Sequence, residues 1–348
     1  MDLKQFEERK LDHIRHSLDL AHQAQGLSGL EFVQLVHEAL PDLDFDEISL
    51  TSNCLGVCLK TPFYVAGMTA GHERAFQINR TLALLCQERG WAMGVGSQRR
   101  DLELQNGAGL DAWKELRDQV PDLVLFANLG ISQVIRADMR DLRRVVDGLR
   151  AQALVIHLNA LQEVVQPEGT PHFRGSFEAI ARVISELGLP VLLKETGCGF
   201  SEATLRRISG LRLGAVDLSG LGGTHWGRIE GARAGRGSLH AEVATTFANW
   251  GESTVNSVRA AARALPESIE VWASGGVRSG LDAAKLLALG ADRIGFAKPA
   301  LEAALEGAER LRLWMETREF ELKTALFCTG SLNCKELQAK EVRILERS

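Results

Sequence analysis

The sequence lacks the features that would indicate a membrane, a secretory route or a nucleic-acid complex. No apolar run approaches the ~20 residues that a transmembrane helix needs, and the N-terminal segment is charged throughout, without the apolar stretch of a secretory signal. The net charge is only −5, and the Lys and Arg residues are scattered. The six cysteines include no C-x-x-C pair, which is typical of reduced thiols. We therefore expect a cytoplasmic protein with no nucleic-acid and no membrane partner.

Two common nucleotide-binding motifs are also absent, the G-x-x-x-x-G-K-S/T loop and the Rossmann G-x-G-x-x-G fingerprint. Apolar material is plentiful: of the 348 residues, 45% are hydrophobic and 24% are charged, which is enough for a large core. An α/β barrel takes ~250 residues as one domain, so one barrel with additions at both ends fits this length. We predict an N-terminal helical extension at 1–60, a barrel at 61–300 and a C-terminal helical extension at 301–348.

Eight short, nearly continuous apolar runs predict the strands of the barrel. Such runs are typical of parallel strands covered on both faces, and segments of helical period lie between them, such as 177–188 and 279–290. Eight β-then-α units favour a closed (β/α)₈ TIM barrel of the α/β class, with an open doubly wound sheet as the alternative. Residues 221–252 predict a long Gly-rich loop of the kind that often forms a lid. The predicted strands are 63–68, 91–96, 122–128, 153–159, 190–195, 214–220, 270–276 and 292–297.

Polar residues follow most of the predicted strands, at the edge where TIM barrels hold their active sites. The turn at Gly275 and Gly276, together with Gly295, would let backbone N–H groups approach a phosphate; a purely structural turn is the alternative. Lys194 ends the fifth strand. It is either a fixed positive charge for an anionic reduced cofactor or half of a structural salt bridge.

A dense polar cluster ends the fourth strand and comprises His157, Asn159, Gln162 and Glu163. Spacing alone leaves ligand contact and ordinary polar surface equally open. Glu163 could hold Mg²⁺ through one carboxylate, with phosphate and water completing the octahedron, or it could be a surface carboxylate. Arg9 and Lys10, on an early predicted helix, are by themselves typical of a solvated face.

The segments around the predicted strand ends include the strings MTAG, GSQR, ANLG, HLNALQE, KETGCG, DLSGLGGTHW, ASGGVRSG and GFAKP. Taken together, these strings resemble the type 2 isopentenyl-diphosphate isomerase family, which is a flavin-dependent barrel family. The resemblance covers almost the whole chain, from Arg9-Lys10 to the terminal TALFCTGSLNCKEL. HLNALQE and GGTHW with IEGAR are specific to this family, whereas ASGGVRSG is shared by many FMN barrels. The chain departs from the family pattern at Ala70, His225 and Lys298.

The resemblance implies interconversion of isopentenyl and dimethylallyl diphosphates in isoprenoid biosynthesis. It implies reduced FMN as the acid–base catalyst, Mg²⁺, and NADPH as the reductant that primes the flavin. It also implies that Gln162 and Lys194 are catalytic and that Glu163 binds Mg²⁺. The residues that it implies for FMN are Gly67, Met68, Thr69, Ser97, Asn128, Lys194, Ser219, Thr224, Gly275, Gly276, Arg278, Ala297 and Lys298. Those that it implies for the substrate are Arg9, Lys10, Ser97, Gln98, Arg99, His157, Asn159 and Gln162.

Two alternatives stay open: an FMN oxidoreductase of the 2-hydroxy-acid oxidase type, and a non-enzymatic flavin-binding protein. The oxidases resemble one another in using a His base, and only His225 and His240 lie between the sixth and seventh predicted strands. The polar strand ends favour an enzyme over a flavin carrier. We also expect a homo-oligomer, with the amphipathic C-terminal segment as a packing or subunit-contact helix.

Overall fold

Eight parallel strands close into a barrel, and their order around the ring is their order along the chain. The structure, a computed structural model, describes residues 12–68, 73–103 and 111–345. Every barrel strand overlaps one of the predicted runs, so the predicted (β/α)₈ barrel is confirmed. The strands are β1 (Phe63–Val65), β2 (Ala92–Gly94), β3 (Leu125–Gly130), β4 (Ala153–Leu158), β5 (Val191–Glu195), β6 (Ala215–Asp217), β7 (Glu270–Ala273) and β8 (Arg293–Phe296).

Side chains alternate between two apolar clusters along each barrel strand. On β1, Phe63 and Val65 pack outward in the cluster that includes the surrounding helices. Tyr64 packs in the second cluster, inside the barrel, against Trp272 of β7. Trp272 in turn contacts Phe126 of β3. Because both faces of the strands are buried, the apolar runs of the sequence are continuous rather than alternating.

The same alternation carries polar groups into the mouth of the barrel. Two residues beyond the inward-facing Phe126 of β3 lies Asn128. On β4 and β5 the inward positions near the strand ends are His157 and Lys194. Strand pairing places Lys194 between His157 and Asp217 of β6. The geometry of parallel strands therefore gathers these side chains at one end of the barrel.

Helices cover the outside of the barrel. The helices predicted at 177–188 and 279–290 are confirmed as Ser176–Glu186 and Gly280–Ala288. The second begins with a capping box at Ser279. Residues 12–18 are also helical, and no helix among the described residues is long and apolar enough to cross a membrane. The other α-helices are Glu73–Arg89, Arg99–Glu103, Asp111–Gln119, Ile131–Val134, Met139–Leu149, Ala160–Val165, Glu202–Ile208, Trp226–Arg233, Leu239–Thr246, Thr254–Ala264, Lys298–Leu305, Ala308–Phe327 and Cys334–Gln338.

Residues 221–252 hold two helices, Trp226–Arg233 and Leu239–Thr246, where the sequence predicted a long loop. The sequence did not predict these two helices, because the segment is rich in glycine, which is a poor helix former. Gly231 has a packing reason to be there. A Cβ on it would lie 2.2 Å from the Cβ of Ala244, so glycine lets the two helices approach closely.

The two extensions pack onto the barrel and onto each other. Strand Val33–Leu35 pairs antiparallel with strand Val342–Ile344, so regions from both ends of the chain share one small sheet. The long helix Ala308–Phe327 packs against Gly280–Ala288. The N-terminal extension also contains the strands Ser52–Cys54 and Val57–Leu59 and the 3₁₀ turns Leu20–His22, Leu30–Phe32 and Phe45–Glu47. The extensions predicted as helical thus mix helix and strand, because three-residue strands are too short to show a period.

A substitution of Gly295 on β8 tests how tightly the interior of the barrel is packed, because a Cβ there would lie 2.3 Å from Cζ of Tyr64. We expect Gly295→Ala to lower the free energy of unfolding by about 1–3 kcal/mol, the usual effect of overpacking. Urea denaturation measures this. Gly210→Ala is the matched control, because a Cβ on Gly210 would meet nothing within 4 Å. Equal unfolding midpoints for both variants and the parent protein would contradict the packing described here.

Candidate active site

A cavity of about 510 Å³ opens at the carboxyl ends of the barrel strands. Its size is typical of small-molecule sites, and its position is where TIM barrels hold their active sites. Most of the site residues predicted from the sequence line it: Gly67, Met68, Ser97, Arg99, Asn128, His157, Asn159, Gln162, Glu163, Lys194, Ser219, Thr224, Gly275, Gly276, Arg278, Ala297 and Lys298.

The remaining predicted site residues are Arg9, Lys10, Thr69 and Gln98. Arg9, Lys10 and Thr69 lie outside the described residues. Gln98 was predicted to bind substrate, but its side chain is 1% exposed and does not line the cavity. Its Oε1 accepts the N–H of Asn128 (3.3 Å), and its Nε2 donates to Asp101 (3.2 Å). Gln98 therefore supports Asn128 from behind, because the turn after β2 directs Ser97 and Arg99, but not Gln98, toward the cavity.

The turn after β7 offers backbone donors to an anion. Gly275 and Gly276 have φ values of +99° and +79°. A Cβ on Gly276 would lie 2.6 Å from the carbonyl oxygen of Gly222, so the turn requires glycine. Among the described residues, the N–H groups of Gly276 and Val277 have no protein acceptor. Helix Lys298–Leu305 begins at the same part of the cavity, and a helix N-terminus favours negative charge. These groups fit a phosphate.

Two cations beside this turn already have protein partners. The guanidinium of Arg278 donates to the carbonyl oxygens of Gly222 and Gly276, both at 3.0 Å. The ammonium of Lys298 lies 3.0 Å from Glu302. Arg278 thus joins the glycine turn to the turn after β6. Lys298 places a positive charge beside the turn, and a bound phosphate could replace Glu302 as its partner.

Lys194 lines the cavity and is also half of a buried salt bridge. Its Nζ lies 2.9 Å from Oδ2 of Asp217 and donates to Oγ of Ser274 at 3.3 Å. The hydroxyl of Ser274 donates to the other oxygen of Asp217 at 2.7 Å. Burial and the charge of Asp217 raise the pKa of the neighbouring Tyr64, so its hydroxyl stays neutral. Both interpretations that the sequence left open for Lys194 are compatible with this geometry.

Asn128 determines which nitrogen of His157 carries a proton. The Nδ2 of Asn128 donates to the carbonyl oxygen of Val95 (2.9 Å), so its Oδ1 faces His157 Nδ1 at 2.8 Å. An amide oxygen only accepts, so Nδ1 must donate. In the neutral ring, Nε2 is then an acceptor, and in the imidazolium both nitrogens donate.

The polar cluster after β4 is held by its own hydrogen bonds. The Nδ2 of Asn159 donates to Oε1 of Gln162 (3.3 Å) and to Oε1 of Glu163 (3.0 Å). The Nε2 of Gln162 donates to Glu230 at 2.9 Å. Both ends of the Gln162 amide are therefore engaged, and its orientation is fixed. The Oδ1 of Asn159 is buried and has no partner among the described residues, which leaves an acceptor for a ligand or water.

Proteins named isopentenyl-diphosphate delta-isomerase are similar to this chain over nearly its whole length. One from Legionella pneumophila (strain Corby) is 49% identical over 339 residues, which cover 97% of this chain and 98% of the relative. One from Bdellovibrio bacteriovorus is 48% identical over 342 residues, with the same coverage. One from Halobacterium salinarum is 40% identical over 342 residues, which cover 98% of this chain and 94% of the relative. The chain belongs to the isopentenyl-diphosphate delta-isomerase family. The predicted enzyme family is thus confirmed.

Part of the chain also matches a family of FMN-dependent enzymes. Residues 176–344 match the model of the FMN-dependent dehydrogenase family, which supports the predicted FMN. Among solved structures, a mandelate oxidase variant with a monooxide FMN adduct is similar with a TM-score of 0.67 and 18% identity, over 99% of this chain and 100% of that one. A putative lactate oxidase from Pediococcus acidilactici has a TM-score of 0.70 and 17% identity, over 100% and 95%. At this identity, these structures show the shared barrel fold.

Glu230 supports the site, because it accepts a hydrogen bond from Gln162. The sequence analysis did not predict a role for this residue. It is fully buried on the helix Trp226–Arg233. Its carboxylate accepts from His13 and Gln162, each at 2.9 Å, and pairs with Arg233. Burial alone would raise its pKa, but the hydrogen bonds and charges of these partners lower the pKa to about 2. Glu230 lies in the IEGAR string of the sequence, but no local pattern shows its partners, because His13 is 217 positions away.

The helix Ala308–Phe327 contributes Trp314 and Arg318, which line the cavity itself, whereas Glu230 does not. The guanidinium of Arg318 lies 5.6 Å from the ring centroid of Trp314 and donates to the carbonyl oxygen of Arg278 at 2.7 Å. The sequence predicted only a packing or subunit-contact helix here. An amphipathic pattern identifies the buried face of a helix, but it does not tell which turn of that face reaches a cavity.

His225, where the chain departs from the family pattern, has a structural role. Its Nδ1 accepts the N–H of Arg228 (3.3 Å) and thereby caps the helix Trp226–Arg233, which carries Glu230. Its Nε2 lies 3.3 Å from the carbonyl oxygen of Trp250. Burial lowers the pKa of this imidazole, which stays neutral, and it does not line the cavity.

We expect Glu230→Gln to destabilise the protein in a pH-dependent way. The folded-state pKa of Glu230 lies below its usual value, so its stabilisation is complete above about pH 4.5 and is lost as the pH falls toward 2. The difference in unfolding free energy from the parent protein should be roughly 2–4 kcal/mol near neutrality and should shrink below about pH 4.5. Urea denaturation across this range measures it, with the exposed Glu186→Gln as the control. A difference that does not change with pH would show that the charge of Glu230 is not what its partners stabilise.

Proposed function

We propose that this chain interconverts isopentenyl diphosphate and dimethylallyl diphosphate by moving a carbon–carbon double bond, in isoprenoid biosynthesis, with reduced FMN as the acid–base cofactor. The proposal rests on two anion-binding regions within one cavity. The first consists of the turn at 275–277 and the N-terminus of Lys298–Leu305, after β7 and β8. The second consists of Arg99 after β2, His157 near the end of β4 and Asn159 just after it, on the other side of the ring. A phosphate-bearing cofactor and a diphosphate substrate need two such regions.

The residues of the first region fit the phosphate of FMN. The N–H groups of Gly276 and Val277, which have no acceptor in the described part of the chain, would hold it, with Lys298 nearby as a cation. Lys194 would place its positive charge beside the ring system, and the reduced flavin would supply an electron-rich face and a proton-carrying group. Further contacts are proposed for Gly67, Met68, Ser97, Asn128, Ser219, Thr224, Gly275, Arg278 and Ala297, all of which line the cavity. NADPH is proposed as the reductant.

The second region would anchor the diphosphate and leave the hydrocarbon end to react. Arg99 offers a planar cationic fork that matches phosphate oxygens. His157, as an imidazolium, would donate one bond to the substrate while its Nδ1 keeps its bond to Asn128. Gln162 is no acid, so we assign it the orientation of the substrate, which its bonds to Glu230 and Asn159 make possible.

Glu163 fits a Mg²⁺ ion that is shared with the substrate. In the described part of the chain, no group of three or more His, Cys, Asp or Glu side chains could hold a metal ion. Mg²⁺ often binds through one or two carboxylates, with phosphate oxygens and water as the remaining ligands. Glu163 lines the cavity, and its oxygens accept from Asn159 and from the N–H of Thr170, which orient the carboxylate.

The 2-hydroxy-acid oxidase alternative needs a His base from the segment between β6 and β7 to line the cavity. Neither His225 nor His240 lines it, and His225 is used as a helix cap. This favours the isomerase over the oxidase, although the two share the barrel. The homo-oligomeric state and the cytoplasmic location remain predictions.

The ratio of NADPH oxidised to product formed separates the isomerase from an oxidoreductase. If reduced FMN acts without net redox change, NADPH should prime the enzyme and then not be consumed in step with turnover. The assay uses purified protein, FMN, Mg²⁺ and isopentenyl diphosphate without oxygen. In deuterated water, deuterium should enter the dimethylallyl diphosphate. Consumption of one NADPH per product, or no turnover of isopentenyl diphosphate, would contradict the isomerase function and favour the oxidoreductase.

Glu163→Gln tests the proposed metal site. The substitution keeps the volume but removes the anionic ligand, so we expect at least a tenfold higher Mg²⁺ requirement for turnover, by analogy with the loss of one metal-site interaction. FMN binding should be unchanged, which flavin fluorescence measures. The exposed Glu186→Gln should leave both properties as they are. An unchanged Mg²⁺ dependence in Glu163→Gln would mean that the metal binds elsewhere.

A further inference from the structure

The side chain of Glu195, the last residue of β5, is bound by the loop that follows it. Its Oε2 accepts the N–H of Thr196 at 2.6 Å and also that of Cys198. Backbone N–H groups of neighbouring residues that converge on one anion form a concave anion-binding turn. Here the anion is the protein's own carboxylate. The residues that wrap it, 196–199, are called the β5 loop below.

The β5 loop is fastened to two other segments at the cavity. The N–H of Gly199 donates to the carbonyl oxygen of Ser219 at 3.2 Å. A Cβ on Gly197 would lie 2.6 Å from the carbonyl oxygen of Thr224, so these backbones are in close contact. Ser219 itself has a φ of +39°, a conformation that is strained for a serine and needs support from its surroundings.

The β5 loop also borders the cavity directly, because Thr196 and Gly197 line it, as do Ser219 and Thr224. We propose that Glu195 is a positioning residue, whose carboxylate holds the β5 loop in the shape that places Ser219 and Thr224 for the cofactor. This inference rests on the proposed FMN function. Glu195 itself does not line the cavity.

The charged and titratable groups around Glu195 make its role testable by pH. Burial raises the pKa of Glu195 to about 7, against the lowering effect of the N–H groups of Cys198 and Thr196 and the charge of Lys194. Lys194 is paired with Asp217. Burial and the charge of Glu195 raise the pKa of the Cys198 thiol. The Nε2 of His225 lies 3.8 Å from the Sγ of Cys198, and burial lowers the pKa of this imidazole. Cys198 and His225 are therefore uncharged near neutrality, where Glu195 titrates.

The ionised carboxylate accepts hydrogen bonds more strongly than the neutral acid does. The β5 loop should therefore be better ordered above about pH 7 than below it. If FMN binds to the ordered loop, its affinity should rise with pH through the same range. By linkage, bound FMN should lower the pKa of Glu195.

The first experiment measures FMN affinity of the apoprotein by flavin fluorescence between about pH 6 and pH 8.5, a range that spans the titration. In the parent protein, affinity should rise with pH. Glu195→Gln should bind FMN about tenfold more weakly at the upper end, the ratio expected when a charge-assisted hydrogen bond becomes neutral. Its affinity should rise less with pH than that of the parent protein, because only the phosphate of FMN, with a second pKa of about 6, still titrates there. Glu115→Gln, exposed on the helix Asp111–Gln119, should behave as the parent does.

The second experiment needs no cofactor: amide hydrogen exchange of residues 196–198 in the apoprotein. After correction for intrinsic exchange, protection should increase with pH in the parent protein and not in Glu195→Gln. Absence of FMN binding by the parent would contradict the proposed function and leave the exchange result to judge Glu195. Normal FMN binding with the same pH profile in Glu195→Gln, or pH-independent loop protection in the parent, would overturn the role of Glu195.

Discussion

The buried ion pair between Lys194 and Asp217 constrains the whole active-site end of the barrel. An unpaired ammonium here would cost several kcal/mol, so the register of β5 against β6 has to place the two residues side by side, and it does. Ser274, just beyond β7, bonds to both partners. Three consecutive strands are thereby tied at the floor of the cavity. The same alternation of side chains sets His157 on β4 next to Lys194, facing the ligand space.

A second buried charge joins parts of the chain that are far apart in sequence. Glu230 brings together the helix Trp226–Arg233, His13 of the N-terminal region and Gln162 after β4. Because its partners keep its pKa low, Glu230 is an anionic acceptor at physiological pH. The amide of Gln162 then has only one favourable orientation, with its NH₂ toward Glu230 and its oxygen toward Asn159. The segment after β6 is therefore part of the site and more than a cover over it.

The barrel by itself does not decide the chemistry. This chain shares it with mandelate and lactate oxidases at 17–18% identity, and a glycine turn that offers N–H groups to a phosphate suits many cofactors. Other polar groups of this chain lie elsewhere around the mouth. Arg99, His157 and Asn159 form a second polar region, and Glu230 orients Gln162 beside it. His225 supports this arrangement indirectly, because it caps the helix on which Glu230 lies.

The sequence by itself determined the strands and the first polar residues after them, because both are local properties: a run of apolar residues, and the position where it stops. Asn128 and Lys194 were identified in this way. Only the tertiary structure decided which partner each polar group meets. It paired Lys194 with Asp217 and Gln162 with Glu230, and it turned Gln98 away from the cavity. These outcomes depend on strand register and on contacts between segments up to 217 residues apart, whereas a local pattern encodes only the period of a single element.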